Sequence, residues 1–340
     1  MHKLTLETIA ELAGVSRSTV SRVVNDHAGV SEAVRNRVLA VIEHTGYQPN
    51  SIARSLATRR TGVIGLVVPR QMQTLFVDPY FPRLIQGVSA ASNQQGSTLA
   101  LFLLHTEDEE RQIYQQLLNR SMLDGVLFVT NSTEDPFVQR LLNSGIPFVT
   151  IGRDCAETPT HFVDVENAEG AHTAVSHLIR LGYERIATIT GPLAALCAQN
   201  RLDGYRQALV GRGLGLDANF IVEGDFTEAG GYFAMQQLMP HEPDAVFVAS
   251  DAMALGAMRA AREAGWVIPD DIALVSFDDL PQAALSAPTL TTIRQPIKRL
   301  GMLAVETLLD VIANGSTPTR RIVLPTELII RSSCGADPFL

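Results

Sequence analysis

The sequence predicts an α/β chain with a small N-terminal head of three helices that contains a helix-turn-helix, then a short hinge helix, then a body of two doubly wound parallel-sheet subdomains. Three observations carry this. The first 60 residues show short, capped helical periods and no strand pattern, whereas from Gly62 onward apolar β runs alternate with helical periods, as repeated βαβ units require. Charge divides at the same place: residues 1–60 hold 8 Lys/Arg against 5 Asp/Glu, a net of +3, and the other 280 residues carry −12. A basic head on an acidic body suits a protein that meets polyanions at one end only.

In the head, Thr5 is placed to cap a helix over Leu6–Ala13, with Ile9, Leu12 and Ala13 inward and Gly14 at its left-handed end. Ser16 caps a second helix whose Val20, Val23 and Val24 face inward, leaving Arg17, Ser18, Ser21, Arg22 and Asn25 on the outer surface or its rim. Two short helices joined by Gly14-Val15-Ser16 make a helix-turn-helix. Ser31 caps a third helix, Glu32 to about Thr45, with Val34, Val38, Val41 and Ile42 closing the core and Gly46 ending it. Tyr47-Gln48-Pro49 is an extended break, and Asn50 opens a last helix over Ser51–Thr58. At about eight residues that hinge helix is too short to persist alone in water, so it forms only when something packs on it.

The body reads as VIGLVV, a helix near Pro82–Gln95, LALFLL, a helix near Glu107–Leu118, GVLFV, a helix near Pro136–Asn143, then FVTI. A second series begins at HFVDV and continues through RIATIT, FIVEG, AVFVA and IALVS. Segments near Leu290–Arg294 and Arg320–Pro325 follow both series and are expected to return to the first subdomain. The boundaries that result are 1–49 for the head, 50–61 for the hinge and linker, and 62–340 for a ligand-binding and dimerisation domain. Within it, subdomain one takes about 62–160 plus 291–323, and subdomain two about 161–290 plus 324–340.

Several function classes are disfavoured. Cys155, Cys197 and Cys334 are odd in number and lack C-x-x-C spacing, which argues for a reducing cytoplasm and against a disulfide framework or zinc site. No stretch approaches the roughly 20 apolar residues of a membrane span, and the N-terminus has no export signal. G-x-G-x-x-G opening a βα unit, G-x-x-x-x-G-K-[ST], G-x-S-x-G and H-E-x-x-H are all missing. Gly211–Gly215 follows a helix and reads as its C-terminal turn, and His172 and His177 are spaced to different helix faces, so no metal, cofactor or catalytic residue is expected.

The run TLETIAELAGVSRSTVSRVVN, followed by GYQPNSIARSLATRRTGVIGLVVP, resembles the head and hinge of the lac-repressor (LacI/GalR) family, and the similarity continues through nearly the whole chain. The resemblance implies a periplasmic-binding-protein-like body and a sequence-specific transcriptional regulator. A helix start in the major groove would present Arg17, Ser18 and Arg22 to base edges, with Arg22 the candidate guanine contact. Thr5, Ser16, Thr19, Ser21, Asn25, Ser31 and Asn50 would hold phosphates, and Leu56 beside Ala53 would wedge into the minor groove. The competing assignments are a solvated helix face for the arginines and simple packing for Leu56.

For the effector, the resemblance implies Asp78, Tyr80 and Phe81 after the first strand, Arg201 in N-R-L-D-G-Y, Phe226, Ser250 and Asp251 in A-S-D-A, Asp278 in S-F-D-D, and Gln295. An arginine with carboxylates and aromatic rings suits a sugar. Asp251 could instead cap the helix that follows, and Tyr80 or Phe81 could be core. Ser276 stands where the family usually has glycine, which bears on how Asp278 is aimed. The expected function is a homodimeric repressor of carbohydrate-utilisation genes, released from double-stranded operator DNA by a sugar or glycoside. The tail after Arg331 lacks the leucine heptads of a tetramerising coiled coil. Alternatives are a purine-sensing regulator that binds DNA with its ligand, a transporter's solute-binding protein, and an enzyme on the same body.

Overall fold

The computed structural model describes residues 4–24, 27, 29–47, 60–68, 79–104, 107–117, 122–130, 136–153 and 160–336. Residues 1–62 and 63–340 form two compact units. In the first, helices α1 (Leu6–Ala13), α2 (Arg17–Val24) and α3 (Glu32–Thr45) enclose a core of Ile9, Ala10, Ala13, Val20, Val23, Val38 and Tyr47. The Thr5 hydroxyl accepts from the Thr8 amide, and that of Ser16 from the Thr19 amide, so both helix starts are capped by side chains. Ser31 occupies the N-cap position of α3 without making a side-chain bond. Gly14 turns the chain at φ 63, a left-handed conformation that a side chain would strain.

One expected core position is corrected: Leu12 is 58% exposed. Ile9, Ala10 and Ala13 fill an arc of about 100° on α1, and Leu12 projects about 60° outside it.

The second unit holds two six-stranded sheets. The first contains β1 (Val63–Val68), β2 (Thr98–Leu103), β3 (Gly125–Val129), β4 (Phe148–Ile151), β5 (Phe162–Val165) and, near the C-terminus, Arg321–Leu324. Its strand order is Arg321–Leu324, β5, β4, β3, β1, β2, and every pairing is parallel. Helix α4 (Tyr80–Gln94) covers one face, and α5 (Glu107–Leu117) and α6 (Pro136–Ser144) cover the other.

After α7 (Asn167–Arg180) the second sheet is built from β6 (Ile186–Thr190), β7 (Ile221–Glu223), β8 (Ala245–Val248), β9 (Ala273–Asp278) and β10 (Thr291–Arg294). Helices α7 and α8 (Leu196–Gly211) pack on one face, and α9 (Glu228–Leu238) and α10 (Asp251–Glu263) on the other. A one-turn helix, α11 (Pro281–Leu285), precedes β10. Then α12 (Ile297–Asn314) crosses back onto the first sheet, followed by β11 (Arg321–Leu324) and β12 (Glu327–Ile329), which pairs antiparallel with β10.

Two strand placements differ from the sequence-based expectation. HFVDV, taken as the start of the second series, is β5 of the first sheet, held between β4 and β11. Leu290–Arg294, expected to return to the first subdomain, pairs with β9 in the second sheet, and the return is made by α12, whose Leu300, Ala304, Val305 and Leu308 join the first sheet's core. Periodicity identifies a strand but not the sheet it joins, because both sheets are buried on two faces and their strands carry the same apolar run. The chain therefore passes between the sheets three times, near Glu166, near Gln295 and near Thr326. Among the described residues no helix is long and apolar enough to cross a membrane.

Candidate functional site

On the head, the start of α2 is an open polar surface. Ser16, Arg17, Ser18 and Arg22 are exposed, and Thr19 and Ser21 are half-buried. The Ser16 hydroxyl sits 2.8 Å from those of both Ser18 and Thr19, and Arg17 Nε is 2.9 Å from the Glu7 carboxylate of α1. The Glu7 carboxyl is held below its usual range by the backbone amide at its helix start, with the Thr5 hydroxyl and Arg17 adding to it. Arg22 makes no salt bridge among the described residues, so of the two candidate base-reading arginines it is the one not committed to an ion pair. Thr5 and Ser31 are exposed at the starts of α1 and α3. Asn25, Asn50, Ala53 and Leu56 lie outside the described residues.

In the body, the carboxyl ends of the two sheets face a common cleft, the place where open parallel sheets bind ligands. The cavity offers about 940 Å³, its open mouth included. Tyr80, Phe81, Arg201, Phe226, Ser250, Asp278 and Gln295 all line it, brought from α4, α8, the turn after β7, the start of α10, the end of β9 and the second crossing. Asp78 lies outside the described residues.

Asp251 is a correction: it does not line the cleft. It is fully buried at the start of α10, its Oδ1 accepting from the Ser276 and Thr292 hydroxyls and its Oδ2 from the Leu280 amide at 2.6 Å. Nor does it cap that helix, since Ser250 does so by accepting from the Met253 amide. Burial pushes the Asp251 carboxyl up to about 6, although its three hydrogen bonds pull the other way.

Arg201 is the centre of the polar lining. Its Nε donates to Asn167 Oδ1 at 2.9 Å, its Nη1 donates to the Ala249 carbonyl at 2.5 Å and lies 3.7 Å from Asp278 Oδ1, and its guanidinium stacks 3.7 Å above the Phe277 ring. Gln295 donates to the same Asp278 oxygen at 2.5 Å, and Asn167 donates on to Asp164 at 3.2 Å. One network thus links the first sheet (Asp164), two crossings (Asn167, Gln295) and the second sheet (Asp278). Phe226 (φ 63), Asp278 (φ 121) and Asp279 (φ 54) all hold left-handed backbone beside the cleft, strain of the kind that gathers at binding sites. The Tyr80 ring meets that of Phe81 edge-on at 5.3 Å.

Among the lining residues that the sequence does not single out are Asp164, Asn167, Cys197 and Asp225. Asp164 sits inside an apolar strand, and only the recognition that β5 ends at the cleft would single it out. Burial raises its carboxyl above the usual range, against the pull of the Val165 amide, Arg153 and Arg201. Asn167 is the first residue of a helix, where asparagine is ordinary. Asp225 looks like a turn residue, and it does hold a turn, accepting from the Thr227 amide at 2.8 Å and hydroxyl at 2.6 Å. Cys197 draws attention in sequence only as a disulfide or zinc candidate; burial raises its thiol above the usual range. Among the described residues no three His, Cys, Asp or Glu side chains gather as a metal site, and His177 lies buried against Cys334, its Nε2 3.4 Å from the sulfur.

A head offering an open helix-turn-helix face, joined to a two-sheet body with a polar and aromatic cleft, defines a DNA-binding transcriptional regulator with a ligand-sensing domain. The comparisons agree: residues 5–50 match the model for bacterial regulatory proteins of the lacI family, and residues 175–334 the model for a periplasmic binding protein-like domain. The HTH-type transcriptional regulator CelR of Thermobifida fusca is 39% identical over 333 residues, 97% of this chain and 98% of that one. The chain belongs to the lacI family of bacterial regulatory proteins. Among solved structures, the transcriptional regulator CelR–cellobiose complex superposes with a TM-score of 0.77 at 37% identity, covering 97% of this chain and 99% of that one. The lac repressor dimer bound to operator and the anti-inducer ONPF gives 0.84 at 28% identity, covering 98% and 99%.

Proposed function

We propose that this protein is a homodimeric repressor of carbohydrate-utilisation genes that leaves its operator when a sugar or glycoside enters the cleft. The observation that carries the sugar reading is the pairing, in one cavity, of the Arg201–Asp278–Gln295 cluster with the Tyr80, Phe81 and Phe226 rings. Fixed polar groups take up vicinal hydroxyls, while aromatic faces cover the apolar C–H surface of a pyranose or furanose. That the CelR relative was solved with cellobiose, and the lac repressor as a dimer on its operator, supports the reading from outside the chain.

In this account the ligand is sensed and released unchanged. Two heads sit on adjacent half-sites, with Arg17, Ser18 and Arg22 toward base edges and Thr5, Ser16, Thr19, Ser21, Asn25, Ser31 and Asn50 toward phosphates. The hinge at 50–58 becomes helical against DNA, with Ala53 and Leu56 in the minor groove. Ligand closes the cleft through the network that spans two of the three crossings, separates the paired hinges, and lowers operator affinity by roughly 5 to 150 fold, the usual scale of such coupling.

The test screens the full chain by thermal shift against sugars, glycosides and purines, then measures binding to a DNA site selected from a random pool, with and without the hit. A sugar that raises Tm and weakens DNA binding supports the proposal. A purine that raises Tm and tightens DNA binding overturns it, as does turnover of the bound sugar.

A further inference from the structure

We infer that the cleft takes an uncharged, unphosphorylated sugar or glycoside and discriminates against the phosphorylated form of the same sugar. The inference rests on the carbohydrate reading above and narrows its ligand class.

Among the described residues the charged lining is Asp164, Asp225 and Asp278 against one cation, Arg201. That cation is already engaged: Nε with Asn167, Nη1 with Ala249 and Asp278, and its face with Phe277. Arg153 lies 3.6 Å from Asp164 and stacks on Phe162, so it answers a carboxylate the cleft already has, and Arg83 of α4 donates to the Asp279 carbonyl beside Asp278.

A phosphate binds where several N–H donors or unpaired cations converge on it. Here the helix starts offer little. That of α10 is closed by the Ser250 side chain and carries the Asp251 carboxyl beside it. That of α8 has Ala195 as its cap and no side-chain acceptor, so its first amides suit a ligand oxygen. A hydroxyl meets that need without bringing charge among three carboxylates, whereas a dianion in the same space is repelled by each of them. The rest of the polar lining, the Asp164, Asp225 and Asp278 carboxylates and the Thr130 hydroxyl, carries acceptor oxygens suited to hydroxyl donors, and aromatic faces complete it.

The test is isothermal titration of the full chain with matched pairs: cellobiose and its 6-phosphate, ribose and ribose 5-phosphate, glucose and glucose 6-phosphate, with hypoxanthine as the purine probe. The expected result is that at least one neutral sugar binds and that its phosphorylated partner is more than tenfold weaker. A phosphorylated member that binds within tenfold of its neutral partner, or more tightly, overturns this inference and leaves the carbohydrate reading standing. Binding of hypoxanthine alone overturns the carbohydrate reading itself, and a series in which no neutral sugar binds counts against both.

Discussion

Ser276 donates the hydrogen bond of its hydroxyl to Asp251 inside the second sheet, and both side chains are sealed from solvent. The same carboxylate takes the Thr292 hydroxyl and the Leu280 amide, so it pins β9, β10 and the turn that follows Asp278 to the start of α10. The serine that departs from the family pattern is thereby accounted for: it is a partner for a buried acid. Replacing Asp251 with Ala leaves three buried donors without an acceptor, at about 1–3 kcal/mol each if nothing relaxes. The expected loss is about 3 kcal/mol or more of unfolding free energy in urea. Ser276→Gly removes one of three donors and is expected to cost about 1–2 kcal/mol. If Asp251→Ala melts with the wild type, the buried carboxylate is not the anchor described here.

The same acid sets a direction for the pH dependence. Its carboxyl is raised to about 6 in the folded protein, chiefly by burial, from an ordinary value near 4 when unfolded. The native state then holds this proton more tightly, so the stability it contributes is complete below about pH 4 and fades as pH rises through 6. Asp279 works oppositely: burial alone would raise it, but Arg331 and Arg294 outweigh that and hold it low, so its contribution is present above its unfolded value and is lost on acidification below it. Between pH 5 and 7, Asp251→Asn is therefore expected to lose less stability with rising pH than the wild type. Parallel curves for the two proteins would show that Asp251 does not titrate in that window.

How much of this was legible beforehand depends on whether a residue's role is local or distant. The head could be read because Thr5, Gly14 and Ser16 act within a turn of themselves; Leu12 was misplaced by centring a narrow apolar stripe about 60° off, and Ser31 takes its cap position without the side-chain bond. Strands and helices of the body were visible as periods, but which sheet β5 and β10 join was not, since that depends on pairings between segments far apart in sequence. The cleft divides the same way. Arg201 and Asp278 stand in recognisable motifs, whereas Asp164 and Asn167 belong to the site only because the chain crosses between sheets beside them. Asp251 misled because its neighbour Ser250 does line the cleft while its own side chain points into the core.

Gly191 makes room for the Phe226 ring. A Cβ built on Gly191 would lie 2.1 Å from Phe226 Cζ, and Phe226 itself is held at φ 63, a conformation that costs a non-glycine residue about 1–3 kcal/mol. Gly191→Ala must push the ring from its place, and if that ring stacks on the ligand, affinity falls at least tenfold, about 1.4 kcal/mol. DNA binding without ligand should be unchanged. Unaltered sugar affinity in this variant would show that the ring does not stack on the ligand.

Arg201→Ala is expected to leave operator binding in place and abolish the response to ligand. It also strips donors from Asn167, Asp278 and the Ala249 carbonyl, so a stability loss of about 2–4 kcal/mol accompanies it. Arg201→Lys keeps the charge but not the fork or the stacking on Phe277, and should fail in the same way. A lysine variant that responds normally would mean that charge alone, not the guanidinium geometry, is what the cleft uses.

Arg22 and Arg17 are separable by experiment because only Arg17 is tied to a carboxylate. If Arg22 reads a base edge, Arg22→Ala costs about 1–3 kcal/mol on the selected DNA site and much less on random DNA, while ligand binding is unchanged. Glu7→Gln loosens Arg17 without removing it, so any base or phosphate contact that Arg17 makes should strengthen modestly, seen as a steeper dependence of log Kd on log salt. Equal losses for Arg22→Ala on specific and random DNA would reassign it to the phosphate backbone. The reading of sequence would then have to come from Arg17 and Ser18 at the first turn of α2.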